Sequence, residues 1–428
     1  MRKIIVIAYQ LHYSKGSECS TAWEYINHVS KRNVLTVIYG TSGSHHAVGD
    51  TKEMEEWCKN NTLNNVNFIP VHPSWPTKKY GFSLLGQYLF YREYKKWHED
   101  VAKIVKDLIS REKYDIIHYH GPIGYREPGF LYDYSVPYVW GPIGGFGGAN
   151  PRLLKASGSI SGALHMLIKR MMNDIQAFTD RRVRRALKKS DVVICCSSET
   201  KKYVSRIVGC RHHSILLYRS ENCMQKLSDL NIQKFCGNKV HFVFSGTIDN
   251  RKALIFVLEA MSKIPKNDKI ILDVLGDGPL KNRLQKWADL HGLSENVIWH
   301  GMLPRNIVFD MVNNSQLMII PSLHDATTTV LWESLSMCVP VMTLDHKGMG
   351  DIIQETSGFK IPPHSYNQIV DDMAKVFKEV LINPSILREK ANNLLEDRKP
   401  FTWDKRELFY EEVFKLAEDQ FKNRKVIV

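Results

Sequence analysis

The chain has 428 residues, of which 43 % are hydrophobic and 24 % are charged. This composition excludes global disorder and is typical of a globular protein, long enough for two domains of about 200 residues each. The formal net charge of +13 indicates an anionic partner, and because no long basic run or nucleic-acid motif occurs, a phospholipid surface or a phosphorylated small molecule is favoured over nucleic acid.

In the first half of the chain, short β-branched runs alternate with segments of helical periodicity. Strands are predicted at "KIIVIAY", "VLTVIYG", "VNFIPV", "YDIIHYHG", "VPYVWGPIGG" and "DVVICCSS". Helices are predicted at "SECSTAWEYINHVSKR" and over a long amphipathic stretch from about Tyr88 to Ser110. This order predicts a parallel sheet with helices on both faces, in a Rossmann-like first domain at 1–215.

The N-terminus and the cysteines indicate the cellular compartment. The apolar run after Met1 is too short for a signal peptide and is predicted to be a buried strand, and no segment approaches the eighteen or so apolar residues of a membrane-spanning helix. The eight cysteines form no CxxC pair and no Cys/His spacing typical of metal sites. We therefore expect reduced cysteines, no metal and a cytoplasmic protein.

A second alternating series begins after a stretch of weak periodicity. We interpret 216–238 as a linker and 239–402 as a second Rossmann-like domain, with strands at "VHFVFSGT", "KIILDVLGDGP", "VIWHGML", "LMIIPS", "VPVMTL" and "GFKIP". The last segment, 403–428, is predicted to be an amphipathic helix that packs back on the first domain. Two α/β domains in tandem predict a ligand site in a deep cleft at the carboxyl ends of their strands.

Two acids lie at the start of one predicted helix in the stretch "PSLHDATTTVLWESLSMCVPVM". If that helix begins near Ala326 to Thr328, Asp325 lies at its mouth and Glu333 about two turns further on, roughly 9 to 12 Å away. The backbone amides of Ala326, Thr327 and Thr328 would then face an anion between the two acids. The simpler alternative is an acid-capped helix with a solvated glutamate.

Two other turns of the second half follow predicted strands. In "FVFSGTIDNRKALIF", Gly246 precedes the basic pair Arg251–Lys252, which suits a diphosphate but is also compatible with a solvated turn. In "LDVLGDGPL", Gly276, Asp277, Gly278 and Pro279 form a turn where backbone can approach a flat base closely, although a plain turn is equally compatible with one Gly-x-Gly.

In this order, the three motifs resemble those of the retaining nucleotide-sugar glycosyltransferases of GT-B architecture, in particular family four (glycosyl transferases group 1). Members of that family have a Gly and Arg–Lys turn, then a G-x-G-P turn, then two acids seven residues apart before a helix and "PV". The resemblance covers most of 240–362 and extends more loosely over the first half. It implies that Arg251 and Lys252 neutralise the leaving diphosphate, that Asp325 orients the sugar and that Glu333 holds the ribose.

Three departures from the family pattern concern the donor. The first acid is Asp325 where the family usually has Glu, "ATTT" follows it where glycines are usual, and Thr247 stands where an arginine often follows the first glycine. We expect these differences to affect donor identity more than activity.

The resemblance also assigns residues of the first half. Gly16, in "YSKGSECSTAW", would let backbone approach the donor phosphates, with Glu18 as an alternative helix cap. His120 would lie beside the transferred sugar, or else be a packed strand-end histidine. Gly144 and Gly145, in "WGPIGGFGGANP", would border the cleft near donor or acceptor, or else form a plain surface loop.

Two segments interleave basic with apolar and aromatic residues: "KKYGFSLLGQYLFYREYKKWHEDVAKIVK" and "RLLKASGSISGALHMLIKRMMNDIQAFTDRRVRRALKK". Each could lie on an anionic leaflet, or be a core helix with a solvated basic back. We therefore expect possible peripheral contact with the inner face of the plasma membrane, compatible with a polyprenyl-linked acceptor.

The resemblance thus implies a retaining, metal-independent glycosyltransferase without a cofactor. It would move a hexose from a UDP- or GDP-linked donor to a glycan or lipid-linked acceptor, in bacterial surface polysaccharide biosynthesis. Two alternatives stay open: a nucleotide-sugar epimerase of the same fold, and a non-catalytic GT-B partner subunit.

Overall fold

A computed structural model of the chain describes residues 1–14, 18–41, 51–73, 84–148, 150–153, 160–209, 215–217, 227–323, 325 and 327–426. The chain divides into two compact units. The first unit comprises Met1–Phe146, Asn173–Glu221 and Trp403–Val428, and the second comprises Gly147–Met172 and Asn222–Thr402.

The described residues form thirteen strands and fourteen α-helices. The strands are β1 (Lys3–Gln10), β2 (Val34–Thr41), β3 (Val66–Pro70), β4 (Ile116–Gly121), β5 (Tyr138–Ile143), β6 (Val192–Cys195), β7 (Ile215–Leu217), β8 (Val240–Ser245), β9 (Ile270–Leu275), β10 (Val297–Gly301), β11 (Leu317–Ile320), β12 (Val341–Leu344) and β13 (Gly358–Ile361). The helices are α1 (Glu18–Val29), α2 (Lys52–Asn60), α3 (Leu84–Arg111), α4 (Ile160–Thr179), α5 (Arg181–Lys189), α6 (Ser198–Val208), α7 (Ile255–Ser262), α8 (Lys281–Leu290), α9 (Arg305–Asn314), α10 (Thr329–Ser336), α11 (Lys347–Ile352), α12 (Tyr366–Ile382), α13 (Ser385–Asp397) and α14 (Trp403–Val426).

The first unit is built on a seven-stranded sheet. Its strand order is β3-β2-β1-β4-β5-β6-β7, and the paired strands are parallel. The order reverses between β1 and β4, which pair directly. In open α/β sheets, ligands bind outside the carboxyl ends of the strands at such a reversal, so the loops after β1 and β4 are where a site is expected.

The second unit repeats this plan with six parallel strands in the order β10-β9-β8-β11-β12-β13. Here the reversal lies between β8 and β11, and it is the loops after these two strands that carry the Arg251–Lys252 pair and Asp325. The prediction of two Rossmann-like domains is confirmed.

Helices cover both faces of the second sheet, which explains why most residues of its inner strands β8, β9, β11 and β12 are apolar and buried. Phe242 and Phe244 of β8 point to a core shared with α7 and α12, whereas Val243 points to the opposite core, shared with α9 and α10. Neighbouring residues of one strand thus stabilise two different helix layers.

The segment Gly147–Met172 groups with the second unit, whereas the sequence-based boundary assigned it to the first domain. Two contacts account for this grouping. Leu153 is buried in the core of the second unit, and the side-chain amide of Asn150 donates a hydrogen bond of 2.8 Å to the carbonyl of Pro363.

Helices α3 and α14 cover the first sheet. The described apolar side chains of α3, including Tyr94, Trp97, Val101 and Val105, lie in the core of the unit, so the membrane-facing role that the sequence offered for α3 gives way to its alternative, a core helix with a solvated back. Helix α14 packs against β4, β5 and β6 of the same unit. None of the helices in the described ranges is both long enough and apolar enough to cross a membrane.

Candidate functional site

Three charged side chains converge at the strand-order reversal of the second sheet. The Lys252 ammonium lies 2.7 Å from Asp325 Oδ2, and the Arg251 guanidinium donates to Asp325 Oδ1. The side chains of Lys252 and Asp325 are only 13 % and 14 % exposed, while Arg251 is 43 % exposed. Side chains that are more than seventy positions apart in sequence thus form a partly buried ion cluster, in which Asp249, 3.8 Å from Arg251 Nε, is a second and more distant acidic partner.

Short-range hydrogen bonds build the loop that presents the two cations. The Asp249 carboxylate accepts a hydrogen bond of 2.8 Å from the backbone N–H of Lys252. Gly246, at the end of β8, has φ +145, a conformation that other residues rarely adopt. The backbone N–H of Leu323 donates to the carbonyl of Arg251 at 2.9 Å, which ties this loop to the loop that carries Asp325.

The ion cluster keeps Asp325 ionised. Burial acts to raise the pKa of Asp325, but the charges of Lys252 and Arg251 outweigh it, so the pKa lies below its ordinary value. An ionised Asp325 fixes both cations in one place. The cluster can therefore receive an anion without first having to gather its cations.

The "GDGP" turn after β9 packs on the turn after β8. A Cβ on Gly276 would lie 2.0 Å from the carbonyl oxygen of Gly246, and a Cβ on Gly278 would lie 2.5 Å from that of Ile248. Glycine is thus required by the close approach of two backbone segments. Asp277 accepts from the N–H of Gly278 at 2.7 Å and pairs with Lys281, and Pro279 is exposed.

Helix α10 begins at Thr329, with Thr328 as its N-cap: the Thr328 hydroxyl accepts a hydrogen bond of 3.3 Å from the N–H of Leu331. The Thr327 hydroxyl is buried and has no hydrogen-bond partner within the described ranges. Ala326 lies outside the described residues. The loop before α10 therefore contributes a buried hydroxyl, two residues after Asp325, that has no partner among the described residues.

Glu333 lies on the second turn of α10 and pairs with a residue that the sequence analysis missed. Its carboxylate is 3.0 Å from Arg305 Nη2. Burial raises the pKa of Glu333, and the charge of Arg305 opposes this effect. Arg305 is the first residue of α9 and follows β10 after three intervening residues. Arg251 and Lys252 also lie where the chain passes from a strand to a helix, so a search for basic residues at such positions would have found Arg305.

In the first sheet, His120 occupies the corresponding place at the end of β4. Its ring is buried, stacks on Tyr25 with ring centroids 4.1 Å apart, and lies with Nε2 3.3 Å from the Tyr410 hydroxyl. Burial lowers the pKa of His120 well below its ordinary value, and the neighbouring His118 adds to this effect. The imidazole is therefore neutral at pH 7.

Glu18, the first residue of α1, lines a small cavity together with Gln10, His120 and Ile123. Burial raises the pKa of Glu18 to about 7, against a hydrogen bond from the backbone of Ile123 that acts to lower it. Gly16 lies outside the described residues. Glu18 and the end of β4 thus meet at a cavity in which burial shifts the pKa of Glu18 and of His120 toward the neutral form.

The backbone conformation and packing after β5 explain why Gly144 and Gly145 are glycines. Gly144 is buried, and a Cβ there would lie 2.5 Å from Cys196 Sγ. Gly145 has φ +83. Close packing and a left-handed turn therefore account for these two residues without any ligand.

The loop that carries Asp325 is also held by a histidine of the second unit. The His346 ring lies with Nε2 2.9 Å from the carbonyl of Ser322, three residues before Asp325, and so braces that loop. In the part of the chain that the structure describes, no group of three or more His, Cys, Asp or Glu residues is arranged to hold a metal ion.

Comparison with known proteins gives two kinds of similarity. Residues 228–394 match the family described as "Glycosyl transferases group 1". The chain is 24 % identical over 153 residues to Alpha-D-kanosaminyltransferase of Streptomyces kanamyceticus. The matched region covers 35 % of this chain and 39 % of that protein. It is also 24 % identical over 144 residues, 34 % of each chain, to TuaC of Bacillus subtilis, described as a candidate teichuronic acid biosynthesis glycosyltransferase.

The chain thus spans less than two fifths of the length of these two relatives. Among solved structures, Anabaena Alr3699/HepE in complex with UDP and glucose is similar with a TM-score of 0.59. The identity is 12 %, and the match covers 97 % of this chain and 100 % of that one. This similarity concerns the fold, which is the GT-B arrangement of two Rossmann-like domains.

Proposed function

We propose that this chain is a glycosyltransferase that takes its sugar from a nucleoside diphosphate sugar. The observation that carries the proposal is the cluster of Arg251, Lys252 and Asp325 at the strand-order reversal of the second sheet. The family match over 228–394 includes all three residues. UDP in the structurally similar Alr3699/HepE supports a nucleotide donor of this kind.

The chemistry requires positive charge where the donor breaks. When the sugar leaves the diphosphate, negative charge develops on the leaving oxygens, and pre-positioned cations stabilise that charge. Lys252 is the better candidate for this role. Its ammonium is mostly shielded from water, and electrostatic interactions are stronger in such a shielded environment than in water. Arg251 is more exposed and would contact the outer phosphate oxygens.

Asp325 has two roles in this proposal. Its carboxylate holds the two cations, and after they turn to the diphosphate it becomes available to the sugar hydroxyls, the role that family resemblance assigns to the first acid. Glu333, paired with Arg305, would hold the ribose. Gly246, Gly276 and Gly278 would let the two turns lie close enough together to form one wall of the site.

In the first unit, we propose that His120 acts as a neutral hydrogen-bonding group toward the sugar and does not transfer protons. Its neutrality follows from burial. Gly144 and Gly145 remain our candidates for a loop that borders the acceptor.

The finer points of the proposal concern stereochemistry, metals and substrates. We propose retention of anomeric configuration, with the departing phosphate accepting the acceptor's proton, and no metal requirement, since Arg251 and Lys252 supply the charge. We propose a hexose on UDP or GDP as donor and a glycan or lipid-linked acceptor of surface polysaccharide synthesis. The candidate teichuronic acid relative supports this last point.

The test is a panel of UDP- and GDP-sugars incubated with the full chain, with and without glycan and lipid-linked acceptors, in the presence of EDTA. We expect donor consumption that depends on an acceptor, with the anomeric configuration of the product, measured by NMR, matching that of the donor. Conversion of a donor without any acceptor would indicate the epimerase. Donor binding without turnover across the panel would indicate a non-catalytic subunit.

A further inference from the structure

Helix α4 has one face directed into the protein. Met166 packs against the core of the second unit, Asn173 is 6 % exposed and Ala177 is fully buried. Arg170 lies on the same face, with its Cβ 2.7 Å from the place a Cβ on Gly148 would take. These residues are three or four positions apart, so they form one stripe along the helix.

The opposite face of α4 is apolar and exposed. It carries six large hydrophobic side chains that are between 40 % and 58 % exposed: Leu164, Ile168, Met171, Met172, Ile175 and Phe178. Their spacing places them on the side that points away from the protein, where a surface helix normally has polar residues. We call these six residues the α4 stripe. Contiguous exposed apolar surface of this kind is rare on proteins without a partner.

The stretch of chain that contains the stripe has an excess of positive charge. Residues 160–189 contain eight Lys and Arg residues but only two acids, Asp174 and Asp180. Helix α5, which follows α4 after Asp180, buries Val183, Ala186 and Leu187, and all its basic residues are exposed except Arg182, which pairs with Glu127. Arg185 and Lys189 pair with Asp133, but Arg181, Arg184 and Lys188 have no acidic partner within the described residues.

We propose that the α4 stripe and the unpaired cations of α5 form a docking surface for an anionic lipid bilayer. An apolar stripe next to unpaired cations is what a membrane surface with anionic headgroups recognises: the side chains enter the acyl boundary and the cations remain among the phosphates. The stripe spans fifteen residues, about 21 Å of helix. The proposal rests on α4 and α5 and holds whether or not the chain transfers sugars.

The charges of α4 indicate that the helix lies on the membrane surface and does not insert across it. Lys169 and Asp174 interrupt its apolar sequence, and its inner face is held by the protein. Among the described residues, no helix is suited to span a bilayer. A second copy of the chain is the competing occupant, but it would bring the same cations against each other.

The experiment is flotation of the full chain with vesicles of equal parts phosphatidylcholine and phosphatidylglycerol, and with vesicles of phosphatidylcholine alone, at physiological salt. Two variants are compared with the wild type: Ile168→Glu with Ile175→Glu, and Arg181→Gln with Arg184→Gln and Lys188→Gln. The matched control is Ile382→Glu, because Ile382 is 86 % exposed but lies on α12. Melting temperatures check that each variant is folded.

We expect the wild type and the control to float with the anionic vesicles only. Each of the two variants should lose at least about tenfold in vesicle binding, since buried apolar side chains and interfacial cations each contribute at this scale. Equal flotation of the stripe variant and the control would overturn the proposal, as would equal recovery of the wild type from both vesicle types. A dimer, seen by light scattering and broken by the stripe variant, would instead assign the stripe to self-association.

Discussion

The two sheets of this protein share a plan but differ in the charge at their strand-order reversals. At the carboxyl ends of β8 and β11, the second unit presents Arg251, Lys252 and an ionised Asp325. At the ends of β1 and β4, the first unit presents a neutral His120 and a Glu18 whose pKa is raised to about 7. The edge of the second sheet favours the ionised form of its acid, whereas the edge of the first sheet shifts the pKa values of its titratable groups toward their neutral forms.

The difference follows from the partners that each edge supplies. Asp325 has two cations within contact distance, and their attraction exceeds the cost of its burial. Among the described residues, Glu18 has a hydrogen bond from the Ile123 backbone and His120 stacks on Tyr25, and burial is the largest influence on the pKa of each. This difference in charge is why we propose the diphosphate site in the second unit and hydrogen bonding to uncharged hydroxyl groups in the first.

The largest effect is expected from Lys252→Ala. Removal of the buried ammonium leaves the leaving-group charge unmatched, so turnover at saturating donor should fall at least about a hundredfold, equivalent to about 2.7 kcal/mol of barrier. The control is Lys263→Ala. Lys263 lies at the end of α7, is exposed and pairs with Asp371, so its removal also deletes a paired ammonium but outside the proposed site. Near-normal turnover of Lys252→Ala would remove this residue from the site.

A smaller effect, on binding and not on turnover, is expected from Glu333→Gln. Loss of one charged hydrogen bond to the donor should raise the donor KM about tenfold while kcat changes little. The exposed Glu295 provides the control variant Glu295→Gln. A fall in kcat with an unchanged KM would assign Glu333 to the reacting sugar instead of the nucleotide.

The smallest effect tests the first unit. Because burial raises the pKa of Glu18 to about 7, the folded protein holds a proton that the unfolded chain releases above about pH 4.5. The contribution of Glu18 to stability should therefore be fully present below that pH and be lost as the pH rises through about 7. Glu18→Gln should flatten this decline in the melting temperature.

The exposed Glu56 on α2 gives the matched variant, Glu56→Gln, which should leave the profile of the wild type unchanged. If Glu18→Gln leaves the decline intact, the carboxyl of Glu18 is not the group that titrates, and the proposed neutrality of the first edge loses its main support.

Much of the fold could be predicted from the sequence, since apolar runs of four to eight residues and their alternation with helices are local features. The two parallel sheets follow from that alternation. The grouping of Gly147–Met172 with the second unit could not be predicted, because it depends on contacts such as that of Asn150 with Pro363, more than two hundred positions away.

The two basic and apolar segments mark the limit of periodicity. Both α3 and α4 have an apolar face, and the sequence gives no sign of which face a neighbour covers. Trp97 and Val101 of α3 lie in the core, whereas Ile168 and Ile175 of α4 face outward. Whether the apolar face of a helix is buried depends on which elements pack against it in the folded protein, and the periodicity of the helix does not contain that information.

In the site, the sequence predicted that Arg251, Lys252 and Asp325 bind parts of one donor, but not that Asp325 forms ion pairs with both cations, as it does in the structure. Arg305 was missed although it has the same strand-to-helix position. The glycines of the "GDGP" turn were predicted for approach to a ligand, but they are already required by the neighbouring turn. Such a requirement becomes visible only when two turns are seen together.

The most direct test of the central claim is calorimetric titration of UDP and of GDP into the wild type, Lys252→Ala and Lys263→Ala. The account predicts that one of the two nucleotides binds the wild type and Lys263→Ala with equal affinity, and binds Lys252→Ala at least about tenfold more weakly. Failure of both nucleotides to bind the wild type, or equal binding to Lys252→Ala, would contradict it.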